Sequence, residues 1–141
     1  MNGPRFAREV FEASRAIDRE FAEDFAFSPF AQAAEKAAPD VADTTRASVT
    51  LRAVYVDPHA KLIEPDSYDA RQARRPGVES GMPHVEISPH EVARLGVALG
   101  VPFVIGAADH LQRLSDGATF RVSAVFMTPN GLIRAKVNKI G

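Results

Sequence analysis

The sequence predicts a mainly β protein: a small β-barrel or a sandwich-like meander, with an N-terminal α-helix and a long inserted loop. Three observations lead there. Apolar residues step by three and four only as far as Phe25. From Ala47 onward the recurring apolar period is two, the signature of strands with one buried face. Between 58 and 83 no period holds, and prolines and glycines accumulate. The 141 residues fit one domain, with the helix at 4–26, a covering loop at 27–46 and the barrel, carrying the long loop 58–83, at 47–141.

In the first segment Phe6, Val10, Ala13, Ile17, Phe21 and Phe25 fall on one helical face, with Arg8, Glu12, Arg15, Arg19 and Glu23 on the rest. Pro4 suits a first helical turn capped by Asn2 or Gly3. Ser28 precedes Pro29 and so resists helical geometry, which ends the helix. Residues 30–48 are rich in alanine and hold Pro39 and the Thr44-Thr45 pair; apart from a helical turn at Gln32–Lys36 they read as a covering loop. Val49, Leu51, Ala53 and Tyr55 then alternate with Thr50, Arg52, Val54 and Val56 in a strand closed by Asp57-Pro58.

The aperiodic segment contains Pro58, Pro65, Pro76, Gly77, Gly81 and Pro83. Loops beyond about 12–15 residues are uncommon in compact domains and tend to be functional or disordered. His84–Ser88 resumes as a short strand, and Ser88 with Glu91 fits a capping box for a turn of helix through Arg94. Phe103–Ile105 is a candidate strand. Asp109–Leu114, Ser115-Asp116-Gly117 and Thr119–Met127 read as strand, turn and strand, with Phe120, Val122, Ala124 and Phe126 on one face. Thr128–Gly131 turns into a last strand, Leu132–Ile140. The expected core is Phe6, Val10, Phe21, Val49, Leu51, Phe120, Val122, Ile133 and Val137.

Composition excludes several classes. There is no cysteine, hence no disulfide scaffold, thiolate zinc site or cysteine nucleophile. The balance of 17 basic and 18 acidic residues lacks the basic excess of nucleic-acid binders. The most apolar stretch, Leu95–Ala108, is shorter than the roughly 18–20 residues of a membrane span and contains Pro102. The N-terminus has early acids and no signal-peptide pattern, so the protein is expected to be made in the cytoplasm and used there, or in something assembled there, away from membranes. Charge is uneven along the chain: residues 1–48 carry six basic and nine acidic side chains, and residues 101–141 carry five and two. Such asymmetry favours head-to-tail association between copies, unless it is ordinary surface scatter.

The search for chemistry finds no enzyme signature. His59, His84, His90 and His110 lack metal-ligand spacing, and His84-Val85-Glu86 lacks the cysteine pair of zinc deaminases. In Gly77-Val78-Glu79-Ser80-Gly81 the serine stands one place too late for a nucleophile elbow. No phosphate-cradling glycine motif occurs, and Gly96 and Gly100 read as loop glycines. The carboxylate pairs Asp40/Asp43 and Asp66/Asp69 lie in polar, proline-containing stretches, as solvated loop acids do. No catalytic residue, metal or cofactor is therefore expected. In the long loop Lys61, Arg71, Arg74 and Arg75 are candidate phosphate contacts, offset by Glu64, Asp66, Asp69 and Glu79; a plain solvated loop is the other reading.

The order of elements adds to this. Phe21–Pro29, then Ala42-Asp43-Thr44-Thr45-Arg46, then the strand Val49–Asp57 resemble the first half of bacteriophage head–tail joining proteins, the stoppers or head-completion proteins, which also occur in phage-like gene transfer particles. Ala107-Ala108-Asp109-His110-Leu111, Ser115–Val122 and Asn130-Gly131-Leu132 are similar to that family's closing pattern, with Ala108-Asp109 where the family usually has Gly-Asp. The resemblance implies a small barrel with an N-terminal helix, working as a structural virion protein. It implies a homo-oligomeric ring, six-fold or a multiple, between portal and adaptor proteins on the head side and the tail terminator or tail tube on the other. DNA would pass through its channel, and the long loop would either gate that channel or contact neighbouring subunits. A neighbouring connector (adaptor or tail terminator), a non-phage small barrel acting as a binding module and a minor hydrolase stand as alternatives.

Overall fold

A computed structural model describes residues 4–33, 38–57 and 82–141, with side chains from Arg8 onward. Helix α1 (Pro4–Phe21) leads directly into strand β1 (Glu23–Ser28). A short ribbon, β2 (Phe30–Ala31) with β3 (Val41–Ala42), precedes β4 (Val49–Val56). Then come β5 (His84–Ile87), α2 (Pro89–Leu99), β6 (His110–Arg113), β7 (Thr119–Met127) and β8 (Ile133–Lys139). Six strands close into a barrel in the order β1-β4-β5-β8-β7-β6, every pairing antiparallel. The expected fold class, a small barrel with an N-terminal helix, is what the chain adopts.

The inward residues follow the strand period. Phe25 and Phe27 of β1, Leu51 and Ala53 of β4, Val85 and Ile87 of β5, Phe120 and Val122 of β7, and Ile133, Ala135 and Val137 of β8 form one buried cluster. Closure leaves no barrel edge unpaired, which removes the usual aggregation hazard of an exposed strand. One end of the barrel is plugged by α2 and the irregular run after it. Leu95 is fully buried there, and Phe103 meets Phe27 edge-on at 5.2 Å between ring centroids.

Several expectations are corrected. The helix does not reach residue 26. It stops at Phe21, and residues 23–28 form a barrel strand paired on both sides, Phe25 with Leu51 and with Arg113. Phe25 fits either period; Phe27, two residues on, belongs only to the strand. Phe21 is 66% exposed and Val10 and Val49 only partly buried, whereas Leu51, Phe120, Val122, Ile133 and Val137 are core as expected. Phe6 lies outside the residues whose side chains are described. No strand forms at 103–105, although Phe103 and Ile105 still point inward. Helix α2 runs past Arg94 to Leu99, because Val92, Leu95 and Leu99 continue an inward face, and Gly100 caps it in the left-handed conformation (φ 75°).

Strand β7 holds a further departure. Its pairing with β8 slips between Val122↔Val137 and Ala124↔Lys136, a β-bulge at Ser123. Before the bulge even-numbered residues face inward; after it Val125 packs on the core and Phe126 turns out, 52% exposed. A continuous alternation would have buried Phe126.

Candidate functional site

The antiparallel register fixes which residues share a barrel end. At one end the chain leaves β4 at Asp57 and returns at Met82, beside the β6–β7 turn and the end of β8. The turn is the hairpin expected at Asp116-Gly117. The Arg113 N–H donates to the Ala118 carbonyl at 2.8 Å, and Gly117 supplies the positive φ of 76°. Arg113 grips Asp116 through two hydrogen bonds, 2.7 and 3.1 Å, and lies over the Tyr55 ring at 4.9 Å. Lys61, Arg71, Arg74 and Arg75, the candidate DNA contacts, lie outside the described residues, as do His59, Asp66 and Asp69.

At the opposite end sits the most strongly connected polar group of the described chain. The guanidinium of Arg46 forks onto Asp109: Nη2 to Oδ1 at 2.7 Å and Nη1 to Oδ2 at 2.8 Å. Its Nε donates to Asp43 Oδ2 at 2.8 Å, and Nη2 also donates to the Phe30 carbonyl at 3.1 Å. Asp109 is fully buried and accepts two backbone bonds as well, from Phe30 N–H at 2.9 Å and Gly106 N–H at 2.8 Å. One buried carboxylate thus ties the β2–β3 ribbon, the Asp43–Arg46 turn and the start of β6 together. Hydrogen bonds donated to Asp109 and Asp43 hold the Arg46 guanidinium charged more firmly than usual. Bonds from Thr45 and Arg46 hold Asp43 at about 2, below the usual 3.8.

The residue before Asp109 explains a sequence detail. Ala108 has φ 78°, the only positive φ of a non-glycine residue among those described. A left-handed alanine costs about 1–2 kcal/mol. Its buried methyl returns about 0.8 kcal/mol, and alanine restricts the unfolded chain by about 0.4–1 kcal/mol relative to glycine. The terms nearly cancel, so Ala108→Gly should shift stability by less than about 1 kcal/mol. Ala108→Val should cost more than about 2 kcal/mol, since a β-branched residue is poorly tolerated at positive φ and Ala108 is fully buried. Denaturant melts of both variants check the contrast.

A second polar cluster joins α1 to α2. Ser88 accepts from the Glu91 N–H at 3.1 Å, the cap expected from Ser88 and Glu91, and donates its hydroxyl proton to Asp18. Glu91 does not complete the box. Its carboxylate accepts the Arg52 N–H at 2.8 Å, a strand donor left over where β5 ends, and binds Arg94 at 2.6 and 2.7 Å. Burial raises the pKa of Asp18, and the Ser88 bond offsets this only partly. Burial also acts to raise Glu91, but Arg94 and the Arg52 N–H outweigh it and the net shift is down.

The other expected residues are scattered. Asp40 is held by Arg121 at 2.7 Å. His84 contacts Glu86 at 3.2 Å, His90 meets Phe11 edge-on at 5.1 Å, and His110 stacks on Phe30 at 3.9 Å. Among the described residues no group of three His, Asp or Glu side chains is placed to hold a metal, and no helix is long and apolar enough to cross a membrane.

Acid should destabilise this architecture. Asp43 and Asp116 are held at about 2, and Asp40 and Glu91 are also lowered. Depressed carboxylates contribute stability above their unfolded pKa and lose it as pH falls through the folded one. Asp18 has the opposite sign: its raised pKa favours the folded state as it takes up a proton. With four groups against one, the thermal midpoint should fall between about pH 4 and 2, and Asp43→Asn should flatten that fall. A midpoint flat over this range would show that the aspartate pairs do not hold in solution.

The wall outside β4 and β5 carries an open apolar groove. It has a volume of about 280 Å³ and lies between α1 (Val10, Ala13, Ile17) and Val54, Pro89 and Leu132, with Asp18 and Glu86 also in its lining. Helix α1 buries the polar residues Ser14 and Asp18 and leaves Ile17 52% exposed. The sequence pattern identified an amphipathic helix but put Phe21 and Ile17 on its buried side. Compared with known proteins, the chain matches no protein-family model and no curated protein sequence.

Proposed function

We propose that the chain is a structural subunit of a phage-type head–tail connector, a ring-forming stopper that retains packaged DNA and docks the tail. One observation carries this reading. Two of the stretches that carry the resemblance, 42–46 and 107–111, lie far apart in sequence yet meet in the Arg46–Asp109 pair, 63 residues apart. The left-handed Ala108 gives a physical reason for glycine at that place in the family pattern. The exposed apolar side of α1 supports assembly, because a monomer gains nothing from leaving that side open. The ring would be six-fold or a multiple, with a portal or adaptor on one side, a tail terminator or tail tube on the other, and the basic residues of the 58–83 segment facing DNA.

Particles assembled without the protein should fill with DNA, then leak it or fail to join tails. Particles assembled with it should show a ring at the head–tail junction by electron microscopy. Full retention of DNA and tails without the protein would overturn the proposal. The α1 groove favours one other reading, a small barrel that binds a peptide or small molecule. That reading requires a monomer or dimer whose melting point rises on adding the ligand.

A further inference from the structure

We infer that copies of this chain join head to tail, with Phe126 of one copy seated in the α1 groove of the next. The inference rests on the ring reading and names the surfaces that would make the ring. The barrel order places β4 and β7 three strands apart in either direction, so their outer faces are opposite walls. Helix α1 leans on the β4 wall, and just past its end the Ala22 carbonyl accepts from Arg52 Nη2 at 3.1 Å. Phe126 stands on the β7 wall because of the bulge at Ser123. A contact between unlike, opposed patches is heterologous, and heterologous contacts propagate into rings when the rotation closes.

Chemistry selects a second copy as the occupant. The groove is apolar, and both ionisable side chains that line it are acidic: Glu86, whose side chain is 28% exposed, and Asp18, which is buried against Ser88. Phe126 is flanked by bases: Arg134 is its cross-strand partner, and the Lys136 ammonium lies 5.3 Å from its ring. Glu86 already meets His84 and Arg134 of its own copy, but both contacts fall on Oε1. Groove to groove, acid would face acid; groove to β7 wall, acid faces base and the exposed ring fills the apolar space. The same polarity appears in the chain as a whole, acidic in its first third and basic in its last.

The chain has no cysteine, so single thiols report contacts without background. Ile17→Cys and Phe126→Cys are both at exposed positions. Mixed in equal amounts and treated with a short bismaleimide, they should give covalent dimers, while each alone should give none. The double variant should give a ladder of higher oligomers. Phe126→Glu should abolish the oligomer seen by light scattering and leave the melting point unchanged. Dimers from either single variant alone would mean a like-to-like contact and overturn the inference. A ring in assembled particles with no cross-link in the mixture would also overturn it while leaving the connector reading intact. Particles with no ring would overturn both.

Discussion

Replacing Asp109 by alanine should lower stability by about 3–5 kcal/mol, a large part of the roughly 5–15 kcal/mol expected for a domain. The size follows from what the carboxylate does. It is fully buried and satisfies two Arg46 nitrogens and the N–H groups of Phe30 and Gly106. Its loss removes both bonds of the Arg46 fork, leaving that guanidinium to Asp43 and the Phe30 carbonyl, and strands two backbone donors at once. Arg46→Ala should cost less than this only to the extent that its side chain, 28% exposed, is hydrated before the change. The two losses should not add, because either variant breaks the same fork; the double variant should melt close to the worse single one. Urea unfolding of the four proteins measures the coupling. Additive losses would show that Arg46 and Asp109 act independently. Limited proteolysis gives a second readout: cleavage near the β2–β3 ribbon should rise in each variant, since this pair anchors the ribbon to the barrel.

Phe25→Ala should cost about 3–5 kcal/mol, and Phe21→Ala about 0.5 kcal/mol or less. Phe25 is fully buried between β4 and β6, whereas Phe21 is exposed at the last turn of α1. Phe120→Ala belongs with Phe25: the ring lies in the core, 5.3 Å from that of Tyr55, and its loss should also cost about 3–5 kcal/mol. Thermal melts decide. Equal losses at 21 and 25 would restore a single long helix face and contradict the strand. A small loss at Phe120 would contradict the barrel core. Within an assembled ring Phe21→Ala would be free to behave differently, because α1 borders the groove assigned to the next copy.

The fold class was legible because closure of a small barrel depends on period-two runs separated by turns, and those are local patterns. Leu51, Val122, Ile133 and Val137 declare themselves by alternation, Gly117 by its turn, and Ser88 with Glu91 by capping chemistry. Three things were not legible, each because a distant partner decides it. Phe25 stands at a spacing that a helix and a strand both accept; pairing with β4 on one side and β6 on the other selects the strand. The bulge at Ser123 leaves no mark in the alternation Phe120, Val122, Ala124, Phe126, and only the register against β8 shows that Phe126 faces out. The Arg46–Asp109 pair joins a residue of the expected covering loop to one at the start of an expected strand, and only the barrel brings them within 2.7 Å. Local pattern thus determined which segments form strands and turns, since propensity and period act over a few residues. The tertiary structure alone decided which polar groups are buried together and which apolar ones stay open, because burial is a property of the closed barrel and of no segment within it.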